Sequence, residues 1–107
     1  MAKTKIIATL GPASSDGNVI KSLVEAGVNL FRFNFSHGSH DEHLKTLNTV
    51  NRIIEENGFN VGKLADLQGP KIRVGKTGND GLNLEDNSHV FVRNVGSSIE
   101  KDVLPIP

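Results

Sequence analysis

Short apolar runs alternate with stretches of helical spacing through the first part of the chain, and that rhythm stops after Gly75. Lys5 to Leu10 is an apolar run closed by Gly11-Pro12, and it predicts a buried strand of the parallel-sheet kind. Ser14, Ser15 and Asp16 offer N-caps to a helix that carries Val19, Ile20, Leu23 and Val24, with Gly27 just past its end. Val28 to Phe35 is a second strand, interrupted by Arg32 and Asn34. Ser39 to Glu42 fits a capping box. Leu44, Leu47, Val50 and Ile54 continue one face of the helix it opens, and Asn57-Gly58 ends that helix. Val61 to Leu67 is a third strand, stopped by Gly69-Pro70. The order βαβαβ predicts an α/β fold, a parallel sheet with right-handed crossovers.

Beyond Gly75 the helical period is gone. Gly78 to Gly81 is a turn cluster, Leu82-Asn83-Leu84 alternates, and His89 to Val95 is β-prone. Residues 76–107 therefore read as the start of a separate all-β unit, and residues 1–75 as the α/β part.

Composition narrows the function classes. The 107 residues suffice for one ordinary domain, and 36% hydrophobic against 22% charged residues is a folding composition. Lys plus Arg equals Asp plus Glu, 12 against 12, which argues against a broad grip on nucleic acid or an anionic membrane. Any anion site must be local. With no cysteine, disulfides and thiolate zinc sites are excluded. No run reaches membrane-spanning length and no signal-peptide pattern opens the chain, so the expected location is cytoplasmic.

Candidate chemistry gathers at the ends of the second and third strands. Arg32, Asn34 and Ser36 alternate, so a strand puts them on one face and Phe31, Phe33 and Phe35 on the other. Two readings are open: a polar pocket at the carboxyl end of a parallel strand, where Arg32 grips a phosphate or carboxylate, or an edge strand with one solvated face. Asp66 closes the third strand, with Lys71 and Arg73 beyond it. Asp66, Asn34 and Ser36 offer oxygen ligands suited to a hard cation; the plain alternative is an Asp at a turn followed by basic surface residues. Other patterns mislead. Gly69 to Thr77 looks like a P-loop, but five residues separate its glycines where four are needed, and no helix follows. His37, His40 and His43 spread over about 120° of helix surface at this spacing, which a polar helix N-terminus accounts for without a metal.

Thr4 to Pro12, Ala26 to Gly38 (with FRFNFSHG) and Asp66 to Arg73 (DLQGPKIR) together resemble the amino-terminal strands of pyruvate kinases, in order and spacing. The resemblance is strong over residues 4–75; over residues 76–107 only the all-β texture agrees. It implies the amino-terminal βαβαβ part of a (β/α)8 barrel, interrupted after its third strand by a β-rich lid. It implies phosphoryl transfer from phosphoenolpyruvate to ADP, giving pyruvate and ATP, in a homotetrameric complete enzyme. By resemblance, Arg32 binds the phosphate of phosphoenolpyruvate. Asn34, Ser36, Asp66 and the Leu67 carbonyl surround a monovalent cation, usually K+, and Asn34, His37 and Arg73 face the nucleotide. Many family members carry Glu where this chain has Lys71, so its ammonium is expected to substitute for K+. The family's catalytic lysine and its acidic Mg2+ ligands lie further along than Pro107, so the 107-residue chain is expected to be inactive alone. A phospho-metabolite-binding module and another phosphoenolpyruvate-handling barrel are the competing readings; the DLQGPKIR stretch speaks against the latter. With only two helices, three strands are expected to be covered on one face, leaving that of Arg32, Asn34 and Asp66 open to water.

Overall fold

The structure, a computed structural model, describes residues 3–107. The chain divides into two compact units, Met1–Gly69 and Pro70–Pro107.

In the first unit β1 (Ile7–Thr9), β2 (Leu30–Asn34) and β3 (Gly62–Asp66) form a parallel sheet in the order β1-β2-β3. Helix α1 (Gly17–Glu25) connects the first pair and α2 (His40–Asn57) the second. The register sets Thr9 beside Arg32, and Asn34 beside Asp66. Of the three possible caps, Asp16 is used: its side chain accepts from Asn18 N at 2.8 Å. Ser14 instead ends a 3-10 turn, Pro12–Ser14, where its hydroxyl accepts from Gly11 N at 3.0 Å. The capping box of α2 is complete. Ser39 Oγ accepts from Glu42 N at 3.2 Å, and Glu42 Oε2 accepts from Ser39 N at 2.7 Å. Gly58 caps the other end at φ 64°, a left-handed conformation costly to any residue with a Cβ.

Phe31 and Phe33 point from the central strand into a core with Ile20, Val50, Ile53, Leu10 and Val28. Phe31, Ile20 and Val50 are fully buried, each worth about 1.5–3 kcal/mol of transfer free energy. Helix α2 differs from the expected face in one respect. Leu44 is exposed, whereas Ile53 joins the core. At the helical turn angle, Leu44 stands about 110° from the middle of the arc formed by residues 47, 50, 53 and 54, so it cannot share their contact.

The outer strands also differ from the expectation of buried runs. Ile7 is 59% and Leu64 40% exposed. Both helices pack on the Phe31 face, so the face of Ile7, Arg32 and Leu64 meets solvent. Among the described residues each outer strand has one neighbour only. Lys63, on the helix-covered side of edge strand β3, reaches over to Asn51 of α2 at 2.8 Å.

The second unit contains no helix among the described residues. It pairs β4 (Phe91–Arg93) with β5 (Val103–Pro105) in parallel, and a single bridge joins Lys76 to Ser97. Val103 and Pro105 are buried, while Phe91, Val92 and Ile99 are exposed. The Leu82-Asn83-Leu84 alternation forms no strand. Gly75 is obligatory in this unit: a Cβ there would lie 2.5 Å from the Gly96 carbonyl oxygen.

Candidate functional site

The carboxyl ends of the three parallel strands carry the polar residues of the first unit. Thr9 ends β1, Asn34 ends β2 and Asp66 ends β3. Arg32 lies one pleat back on the open face and binds two of these strand ends. Its Nε donates to Asp66 Oδ2 at 3.0 Å, its Nη2 donates to the same oxygen, and its Nη1 donates to Thr9 Oγ1 at 3.1 Å. Since paired positions of adjacent strands share a face, the register alone makes this possible. The guanidinium is thus held in one orientation, half-exposed, over the end of the sheet. A fixed, partly desolvated guanidinium is suited to a phosphate or carboxylate, because little side-chain entropy remains to be lost on binding.

Asn34 and the following turn are organised separately. Asn34 Oδ1 accepts from Ser36 N at 3.1 Å, and the Asn34 carbonyl accepts from His37 N at 3.2 Å. Phe35 N donates to the Asp66 carbonyl at 3.0 Å, which extends the β2–β3 ladder by one bond. On the helix side of the sheet end lies a cleft of about 620 Å³. Thr9 to Pro12 form one wall, Asn34, His37 and Gly38 a second, and the first turns of α2 a third. Glu42 on that third wall has its carboxyl held below the ordinary value, because the Ser39 backbone N–H and then the Ser39 hydroxyl bond to it.

The residues singled out from the sequence therefore fall into three places. Arg32 and Asp66 form the ion pair on the open face, Asn34 and His37 line the cleft, and Ser36 lies in the turn between β2 and α2. Leu67 follows β3 and is exposed. Lys71 and Arg73 belong to the second unit, on an exposed segment without regular structure. Two participants were missed in the sequence. Thr9 was legible in principle, as the hydroxyl residue near the carboxyl end of the first apolar run, although only the register sets it beside Arg32. His43 was set aside as a polar helix residue, yet its ring packs 4.7 Å from that of Phe35 and reaches the turn. Among the described residues no three His, Cys, Asp or Glu side chains gather as a metal-binding group, and no helix is long and apolar enough to cross a membrane.

Comparison with known proteins adds a second line. The profile of the family described as "Pyruvate kinase, barrel domain" matches residues 1–102. The chain is similar to pyruvate kinase of Thermococcus litoralis, 44% identical over 98% of the chain and 22% of that protein. It is similar to pyruvate kinase of Buchnera aphidicola, 47% identical over 71% of the chain and 16% of that protein. It is also similar to a cytosolic pyruvate kinase isozyme of Nicotiana tabacum, 48% identical over 68% of the chain and 14% of that protein. The chain thus spans 14% to 22% of the length of these relatives.

Proposed function

The chain belongs to the pyruvate kinase family, and from that premise we propose that it contributes to phosphoryl transfer from phosphoenolpyruvate to ADP, giving pyruvate and ATP. In this reading residues 1–75 are the amino-terminal part of a (β/α)8 barrel and residues 76–107 open an inserted β-rich lid. The complete enzyme is a cytoplasmic homotetramer.

The observation that carries the reading is the hold on Arg32. Its guanidinium is oriented by Asp66 and Thr9 at the carboxyl end of parallel strands, the end where barrels bind substrate. There it takes the phosphate of phosphoenolpyruvate and neutralises charge as the phosphoryl group moves. Such transfer depends on alignment and electrostatic stabilisation more than on covalent help. Asn34, His37 and Arg73 face the nucleotide; the presence of Asn34 and His37 on the cleft wall supports their share of that role.

The oxygens of Asn34, Ser36, Asp66 and the Leu67 carbonyl are a hard donor set, and that chemistry fits K+. When bound, K+ would supply a fixed positive charge to the site; in this reading the ammonium of Lys71 substitutes for it. A complete pyruvate kinase carrying this segment is accordingly expected to work in potassium-free buffer, and a large stimulation by added K+ would refute the assignment. The ligands of Mg2+, like the catalytic lysine, are assigned in this reading to the rest of the complete enzyme.

Arg32→Lys in a complete pyruvate kinase carrying this segment tests the central role. The charge stays but the planar fork that spans Asp66 and Thr9 is lost. Turnover, read by coupled pyruvate formation, is expected to fall by roughly 10²-fold or more. Unchanged phosphoenolpyruvate kinetics would remove Arg32 from the site.

A further inference from the structure

The turn that carries His37 is held from behind by another histidine. His43 Nε2 lies 2.6 Å from the His37 carbonyl oxygen. A carbonyl only accepts, so Nε2 carries the proton and the bond runs from His43 to the turn. The ring has little freedom to leave. It packs against Phe35 with centroids 4.7 Å apart, and meets Phe33 edge-on at 6.4 Å. Phe33 is buried in the core, so the chain of contact runs from the core, through the imidazole, to the turn.

The turn is shaped to admit this contact. Gly38 sits at φ 76°, and a Cβ there would lie 3.3 Å from His43 Nε2. A side chain at that position would be strained by its backbone and crowded by the imidazole. On the other side, the His37 N–H is already committed to the Asn34 carbonyl at 3.2 Å. His37 is thus fixed through both of its backbone polar groups, while its side chain is exposed on the cleft wall.

We propose that His43 is a positioning residue for the nucleotide site: its Nε2–H, donated to the His37 carbonyl, holds the turn so that the His37 ring faces the cleft. This rests on the reading that His37 faces the nucleotide. His43 also lines the cleft, but its Nε2–H is committed to the His37 carbonyl, so it acts through the turn. Its effect is on ADP and not on phosphoenolpyruvate, because Arg32 is anchored independently through Asp66 and Thr9.

Two substitutions separate the parts of the contact. His43→Phe keeps a ring against Phe35 and deletes the donor; His43→Gln keeps a donor and deletes the ring. Both are made in a complete pyruvate kinase carrying this segment, with His37→Ala beside them. In His43→Phe, amide exchange over residues 35–39 is expected to speed up, and the KM for ADP to rise, each by about three- to tenfold, with the KM for phosphoenolpyruvate unchanged. His43→Gln is expected to recover most of both losses. Unchanged exchange in His43→Phe overturns the latch whatever the nucleotide does. Faster exchange with an unchanged KM for ADP overturns the positioning role. If His37→Ala also leaves that KM unchanged, the nucleotide reading falls with it; if His37→Ala raises it, only the role of His43 falls. A rise in both KM values, or a loss that His43→Gln does not recover, marks general damage and counts against the proposal. Should His43→Phe not fold, recovery in His43→Gln relative to His43→Asn, whose amide is one carbon shorter, decides the same point.

Discussion

The first unit places Phe31, Ile20, Val50 and four neighbours in one core, whereas the second has Val103 as its only buried hydrophobic residue outside proline and leaves Phe91, Val92 and Ile99 in water. Both are β-containing and both have parallel pairing. The difference lies in what covers the strands. Two amphipathic helices lie over one face of the first sheet, and the central strand has neighbours on both sides. The second unit has two three-residue strands and no helix, too little surface to enclose its apolar residues. Stability in this chain is therefore concentrated where helices meet β2, and the functional groups sit at the end of that same strand.

The strongest way to break this comparison is to remove one phenylalanine from each unit. Phe31→Ala leaves a cavity beneath both helices and is expected to cost about 3–5 kcal/mol. Small domains have only about 5–15 kcal/mol in total, so cooperative unfolding of the 107-residue chain should be lost or severely weakened. Phe91→Ala removes a side chain that is 61% exposed, and is expected to change stability by no more than about 0.5 kcal/mol. Urea titrations followed by circular dichroism report both. Comparable losses at the two positions would show that the second unit has a core of its own.

The same contrast explains what could be read from sequence. The caps of α2 were legible because they are local: Ser39 and Glu42 are three residues apart, and Gly58 marks the end by its own backbone freedom. The βαβαβ order was legible because each period belongs to its own segment. The pairing of Arg32 with Asp66 was not. Both were placed at strand ends, but as ligands of different groups, and only the register sets one beside the other across 34 positions. The His43 bond escaped for a related reason, since it depends on how the turn folds back over Phe35. Leu44 was misread because apolar identity was counted without its angle on the helix. In the second unit the β texture was legible, but the strands were not: β4 is shorter than the run that suggested it, and Leu82 to Leu84 stays irregular.

The weakest expected effect sharpens the comparison at the surface. Glu42 ends the capping box of α2 and is exposed. Its carboxyl is held below the ordinary value of 4.5, first by the Ser39 backbone N–H and then by the Ser39 hydroxyl. A carboxylate with a lowered pKa in the folded state stabilises that state above its unfolded pKa. The contribution is lost as pH falls from about 4.5 through the lower folded value. A negative charge in the first helical turn also meets the positive end of the helix dipole, and protonation removes that too. Glu42→Gln can still accept from Ser39 N, so it keeps the box but not the charge. The wild-type chain is expected to hold a small stability advantage over Glu42→Gln at pH 7, which shrinks below pH 4.5 and vanishes under the folded pKa. Urea midpoints of the two proteins between pH 7 and pH 3 give the measurement, and other carboxylates affect both proteins alike. The counterpart in the second unit is Ser88, whose hydroxyl donates to the Glu85 carbonyl at 2.7 Å with no ionisable atom in the bond. The effect of Ser88→Ala should therefore stay flat over the same range. An advantage of Glu42 that is equally flat would mean that the box stabilises α2 by geometry alone, and that the charge adds nothing.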